Sequence, residues 1–159
     1  MKELKLSGPW TLPEIEVYLD DAVIPLRLAA ISSNGWPVIV SLWFKYHNGT
    51  FYCASKKQSR IFELLKNNHQ CGFEIAVEKP PYFGVRGQGV AKLDIQGGQQ
   101  WLERLADKYL GNRNRPFRDW LMLGAADEVV ISIRPLRMMS WDYRKRMTRT
   151  ATGSRPRQP

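Results

Sequence analysis

The sequence predicts a mainly β domain, an antiparallel barrel closed around short helices, and three observations carry that reading. Its 159 residues are about the size of one domain. Two Asn-Gly pairs, Asn34-Gly35 and Asn48-Gly49, separate β-rich runs, and Asn-Gly supplies the positive φ angles that tight hairpin turns need. From Leu26 onward the segments run three strands, helix, two strands, two helices, two strands, which is not the strand–helix alternation of a doubly wound parallel sheet. Residues 1–143 read as one domain and residues 144–159 as a basic, disordered tail.

The elements follow in order. Thr11-Leu12-Pro13-Glu14 opens a helix over residues 12–22, with a capping threonine, a proline in the first turn and an early acid. Leu26 to Ile31, Val38 to Phe44 and Thr50 to Ala54 read as a three-stranded antiparallel meander joined by Ser32-Ser33-Asn34-Gly35 and His47-Asn48-Gly49. A helix over Lys57 to Asn67 places Ile61, Leu64 and Leu65 on one face. Cys71 to Val77 is a strand, and Glu78-Lys79-Pro80-Pro81 breaks it, because proline cannot continue a ladder. Phe83 to Leu93 is a strand whose Gly84, Gly87 and Gly89 signal a bulge or a close backbone approach. Gln99 to Leu110 is an amphipathic helix with Trp101, Leu102, Leu105 and Tyr109 inward, and Pro116 to Leu123 is a shorter helix. Glu128 to Ile133 and Leu136 to Trp141 are strands on either side of Pro135.

Composition excludes several classes. With 43% apolar residues the chain can build a sizeable core, yet no apolar run approaches the roughly 20 residues that span a bilayer. The longest, such as Pro37-Val38-Ile39-Val40, are strand-sized. Met1-Lys2-Glu3-Leu4 begins no apolar signal-peptide core, so the expectation is a cytoplasmic protein. Cys53 and Cys71 form no Cys-x-x-Cys pair, and a reducing compartment predicts free thiols. His47, in a hairpin turn, and His69, just after a helix, have no ligand-like neighbours, so no metal site is expected. There is no fixed-period repeat.

Charge is unevenly placed. Lys and Arg number 24 against 15 acids, for a net charge of +9. Arg144, Lys145, Arg146, Arg149, Arg155 and Arg157 stand in the tail with no acid beside them, leaving +3 for the first 143 residues. A solubilising end is favoured over a nucleic-acid contact, since nothing upstream has a recognition-helix or RNA-binding signature.

No side-chain device for catalysis stands out. The sequence has no Gly-x-Ser-x-Gly elbow and no phosphate-binding Walker loop. Gly87-Gln88-Gly89 lies inside a strand, where a bulge explains it better than a dinucleotide fingerprint. No carboxylate pair has a glycosidase setting, and two loop histidines do not suggest a nucleophilic triad. An enzyme of this composition would take its reactivity from a cofactor. One cluster invites such a group: Ser55-Lys56-Lys57-Gln58-Ser59-Arg60 at a helix start combines hydroxyls, cations and free helix N–H groups, the means of holding a phosphate. A solvated, weakly basic helix start is the alternative.

Several short motifs resemble a known superfamily. Pro37-x-x-x-Ser41-Leu42-Trp43-Phe44, then Phe51-Tyr52-Cys53-Ala54-Ser55, Ser59-Arg60 and a helix ending Leu64-Leu65-Lys66-Asn67-Asn68 resemble the FMN-binding split barrels, among them pyridoxamine 5′-phosphate oxidase and the flavin- and deazaflavin-dependent oxidoreductases. Tyr82-Phe83-Gly84-Val85-Arg86-Gly87-Gln88-Gly89 and the closing Ile133-Arg134-Pro135 to Ser140-Trp141-Asp142-Tyr143 are similar to its later strands, so the likeness runs over about residues 23–143.

The resemblance implies a six-stranded antiparallel split β-barrel of the FMN-binding type and a homodimer with two flavin sites at its interface. It places the flavin ring along Val40, Ser41, Leu42 and Trp43, with Lys45 at that strand's end, and the phosphate at Ala54, Ser55, Ser59 and Arg60. Ser59 replaces a second basic residue common in pyridoxamine phosphate oxidases, for which Lys56 or Lys57 would compensate, and Trp141 approaches the ring from the last strands. The chain lacks that enzyme's C-terminal arginine–histidine pattern, so vitamin B6 oxidation does not carry over. The expected function is FMN-dependent oxidoreduction of a small-molecule substrate, without membrane or nucleic-acid partners. The alternatives are a deazaflavin-dependent reductase and a flavin- or haem-binding module without turnover.

Overall fold

The computed structural model describes residues 3–152, with side chains through Thr148. In chain order the elements are β1 (Lys5–Ser7), α1 (Leu12–Asp21), β2 (Leu26–Ile31), β3 (Pro37–Leu42), β4 (Lys45–His47), β5 (Thr50–Lys56), α2 (Arg60–Asn67), β6 (Gln70–Ala76), β7 (Phe83–Asp94), α3 (Gly98–Leu110), α4 (Arg115–Leu123), β8 (Glu128–Asp142) and α5 (Arg144–Thr152), with a short 3-10 turn at Ala125–Asp127 before β8. The strands form one sheet in the order β3-β2-β6-β7-β8-β5-β4, and β1 joins β8 as the one parallel pair among the described strands.

The mainly β split-barrel class therefore holds, with four revisions of detail. Eight strands are described rather than six, and the path is left open between β3 and β4. The run 38–44 is not one strand: it breaks at Trp43–Phe44, so β2–β3 and β4–β5 are separate hairpins at opposite ends of the path rather than a meander. Conversely, Pro135 does not divide the last strand. It faces Gly89 of β7 on one edge, and on the other it stands in the gap between the β5 ladder, which ends at Ile133, and the β1 ladder, which starts at Arg137, beside the bulge, where a proline is tolerated in a strand. The tail reading changes as well: residues 144–152 are helical. Asp142 accepts from the Arg144 backbone N–H at 3.0 Å and pairs with its guanidinium, while the Tyr143 carbonyl accepts from the Met147 N–H at 2.9 Å. Residues 153–159 lie outside the described part of the chain.

One Asn-Gly turn is as expected and the other is not: at Asn34-Gly35 only the glycine has a positive φ, 83°. Asn48 and Gly49 have φ of 47° and 73°, the two positive values of a type I′ hairpin. The glycines of β7 mark a bulge: Gln88 faces Arg137 but Gly89 faces Pro135, so Leu136 is the extra residue. A Cβ at Gly87 would lie 2.2 Å from the Arg137 carbonyl oxygen and 2.5 Å from the Phe73 ring, closer than any side chain tolerates. The bulge lets two long strands, β7 and β8, bend between the β2–β6 side of the barrel and the β5 side.

Inside, Phe44, Phe51 and Phe73 form a ring chain with centroid spacings of 5.8 and 4.8 Å, surrounded by Leu28, Ile75, Ile131, Ile133 and Met138, all buried. Each such side chain contributes roughly 1.5–3 kcal/mol of transfer free energy. Cys53 and Cys71 are buried and free. Burial pushes the Cys71 thiol up to about 12 and the Cys53 thiol higher still, so both behave as core groups rather than nucleophiles.

Candidate functional site: the seam between β3 and β5

The opening of the barrel is the place where the proposed residues gather. β3 pairs with β2 on one edge, and its other edge has no partner in the ladder; an unpaired edge leaves N–H and C=O groups for a ligand. After Leu42 the chain turns a corner at Trp43–Phe44 and resumes as β4, pairing Lys45 with Tyr52 and His47 with Thr50. Before that corner β3 comes alongside β5, so β3, the corner and β5 form one seam, on which Leu42, Trp43, Lys45, Ala54 and Ser55 stand.

Strand alternation sorts their side chains. Val40 and Leu42 pack against the core, while Ser41 is exposed. Ala54 and Ser55 are consecutive, so they face opposite sides of β5, and only Ser55 turns toward α2. The Ser55 hydroxyl donates to Ser59 Oγ at 2.9 Å, and Ser59 Oγ accepts from the Phe62 N–H at 3.3 Å as the N-cap of α2. That cap starts the helix at Arg60, three residues later than the apolar spacing suggests. Lys56 is committed elsewhere: its ammonium pairs with Glu128 at 2.9 Å and donates to the Gly124 carbonyl. Lys57 and Arg60 are exposed, and neither enters an ion pair among the described residues. Of the two lysines, Lys57 is therefore the available cation beside Arg60.

The corner itself is held by α3. The Tyr109 hydroxyl donates to the Ile24 carbonyl at 2.9 Å and accepts from the Phe44 N–H at 3.2 Å. Its ring stacks on Trp43 with a centroid distance of 4.9 Å. Lys108, next to it, donates to the Leu19 carbonyl at 3.0 Å and lies 4.3 Å from the Phe44 ring centroid. Desolvation, followed by the Lys45 charge, brings the Lys108 ammonium down to about 8 against the pull of Asp20 and Asp21. Sequence reasoning placed Tyr109 inward for packing but missed that its hydroxyl fastens two separate strand ends. Nothing in helical periodicity signals that.

Trp141 stands apart. It pairs with Gly84, and the Arg86 guanidinium lies 5.4 Å from its ring centroid. Ser41, Arg27, Glu74, Arg86 and Met139 form one row across β3, β2, β6, β7 and β8. Four strand spacings, roughly 20 Å along the sheet, thus separate the β3 edge from the end of β8. Between them runs a groove of about 670 Å³ on the outer face of the sheet, floored by Gly72 and Gly87 and flanked by Arg27, Arg86 and Arg137. Among the described residues there is no metal-ligating cluster, and no helix is long and apolar enough to cross a membrane.

Neither a family model nor a curated relative matches the chain, but solved structures do. A conserved hypothetical protein from Mycobacterium tuberculosis superposes with a TM-score of 0.71 at 20% identity, covering 96% of this chain and 95% of its own. An F420 reductase gives 0.61 at 20% identity over 76% and 92%. A Listeria innocua protein provisionally described as a pyridoxamine 5′-phosphate oxidase gives 0.61 at 18% identity over 80% and 95%. In fold, this chain is a split barrel of the pyridoxamine 5′-phosphate oxidase-like type.

Proposed function

We propose that the protein is a homodimeric oxidoreductase that holds FMN at the seam between β3 and β5. The observation that carries this reading is the meeting of a free strand edge with an anion-ready helix start. β3 leaves its outer edge unpaired, and the Ser59 hydroxyl that caps α2, with the Ser55 hydroxyl bonded to it, lies beside two cations, Lys57 and Arg60, that have no described ion-pair partner. That donor set fits a phosphate ester: neutral hydroxyls and helix N–H groups give direction and the guanidinium gives charge. The backbone of Val40, Ser41, Leu42 and Trp43 would run along the ring, with Lys45 at the strand end. When bound, the flavin supplies electron transfer at its ring. This chain's part is to fix the phosphate, to shield one ring face with Leu42 and Trp43, and to keep the corner rigid through Tyr109.

A second copy completes this reading. Trp36 and Ile39 are 72% and 66% exposed on and beside β3, and Met139 is partly exposed across the groove, an apolar surface that a partner chain would cover. Pairing of two copies across that face would bring Trp141 of one toward the seam of the other. The similarity to an F420 reductase favours one alternative cofactor, a deazaflavin, whose acidic tail suits the basic surface. The deciding experiment is a visible absorption spectrum of the purified protein with mass spectrometry of what heat releases. A two-band flavin spectrum and the mass of FMN are expected. A colourless protein that binds neither FMN nor a deazaflavin on titration refutes the proposal, and flavin bound without reduction by any donor makes it a binding module.

A further inference from the structure

The outer faces of β5, β8 and β7 form a grid beneath α3. Arg134 stands opposite Val90, with Thr50 also lining the groove, Tyr52, Ser132 and Lys92 make the next row, and Ala54, Val130 and Asp94 the third. Arg134 and Lys92 are diagonal neighbours on adjacent strands, which sets their Cβ atoms roughly 7 Å apart. From α3, Trp101 stacks on Tyr52 with centroids 4.1 Å apart and planes 5° from parallel. The Arg104 guanidinium lies 4.9 Å from the Trp101 ring centroid. A groove of about 780 Å³ opens between helix and sheet, with Lys92, Arg104 and Arg134 in its lining.

These three cations have no ion-pair partner among the described residues. The acid in the groove, Asp94, already accepts the Gln96 N–H at 2.8 Å, so the groove carries a net +2. The Gln96 and Gln100 amides stand beside them. Trp101 fixes Arg104 by stacking, so little side-chain entropy is lost when its free N–H edge meets an anion.

We propose that this groove is a binding site, separate from the seam, for a small polyanion whose phosphate or carboxylate groups lie within reach of Lys92, Arg104 and Arg134 together. Three fixed positive heads around one concavity favour two or more negative groups over one. The ligand class is a free di- or trianion of metabolite size.

The test is calorimetric titration of the full-length protein at low salt with inorganic pyrophosphate and, in a second arm, with citrate. Saturable one-to-one binding of at least one probe is expected, accompanied by a change in tryptophan emission from Trp101. Tighter binding of pyrophosphate assigns phosphate groups and tighter binding of citrate assigns carboxylates. The paired exposed-strand variant Lys92→Gln with Arg134→Gln should bind about tenfold or more weakly, with an unchanged melting temperature. The surface variant Lys66→Gln should bind as the parent does. Absence of saturable binding by both probes overturns the proposal. So does a loss in Arg60→Ala equal to or greater than that in the paired variant, which would place the anion at the seam or reduce it to general charge.

Discussion

Replacing Tyr109 with phenylalanine removes one oxygen atom and keeps the ring. The Trp43 stack and the buried apolar area survive, and what is lost is the link between the Ile24 carbonyl and the Phe44 N–H, at 2.9 and 3.2 Å. Each hydrogen bond is worth about 1 kcal/mol net when its partners are left wanting. Because the site is half-buried, water partly replaces the hydroxyl, and the two bonds together come to about 2 kcal/mol. For a domain of this size each kcal/mol moves the melting temperature by roughly 2–4 °C, so the variant should melt about 4–8 °C lower. Thermal denaturation by circular dichroism measures this, and amide exchange at Phe44 reports whether the corner has loosened. Tyr18→Phe, which loses a single bond to the Ile75 carbonyl at 3.1 Å, should fall by about half as much. If Tyr109→Phe melts within about 1 °C of the parent and Phe44 keeps its protection, the hydroxyl does not hold the corner.

Other substitutions probe the seam and the core. Arg60→Ala should weaken FMN binding by about 1–2 kcal/mol, a charge-assisted bond discounted for exposure; an unchanged affinity in a fluorescence titration removes Arg60 from the site. Gly87→Ala should lose more than about 2 kcal/mol in urea unfolding, since the new Cβ would press on backbone as well as on Phe73. Near-parental stability would mean that β7 and β8 yield there freely. The buried thiols give a pH dependence. Their folded pKa values lie above the ordinary thiol value, so their contribution is intact below about pH 8.5 and declines as pH rises and the unfolded chain ionises first. Lys108 acts with the opposite sign, because its folded value is about 8. Its protonated form costs stability below that pH, and the cost is relieved as pH rises toward the unfolded lysine value. Between pH 8.5 and about 10 the stability of Cys53→Ala with Cys71→Ala should therefore fall less steeply than the parent's. Parallel curves would show that the thiols titrate alike in both states.

Much of this protein can be read from local pattern. Asn48-Gly49 specifies a tight hairpin because its residues accept positive φ, and the β7 glycines announce a bulge because no side chain fits there. The Ser55 to Arg60 cluster reads as an anion site because hydroxyls, cations and a helix start are consecutive. These are short-range properties, settled within a few residues by backbone geometry. The break at Trp43–Phe44 is different: an apolar run carries no mark of where it changes partners, and a hydroxyl 65 residues away fixes the place. Likewise, whether Lys56 or Lys57 is free depends on Glu128 and Gly124, and Pro135 sits inside a strand because, along one edge, the neighbouring strands end on either side of it. The groove beneath α3 exists only once three strands align Lys92 and Arg134 under Arg104. The sequence determined which segments could be strands, turns and anion-binding helix starts. The tertiary structure decided which of their groups remained unsatisfied, because a charge or a hydrogen-bonding edge is available to a ligand only when no distant part of the chain has taken it.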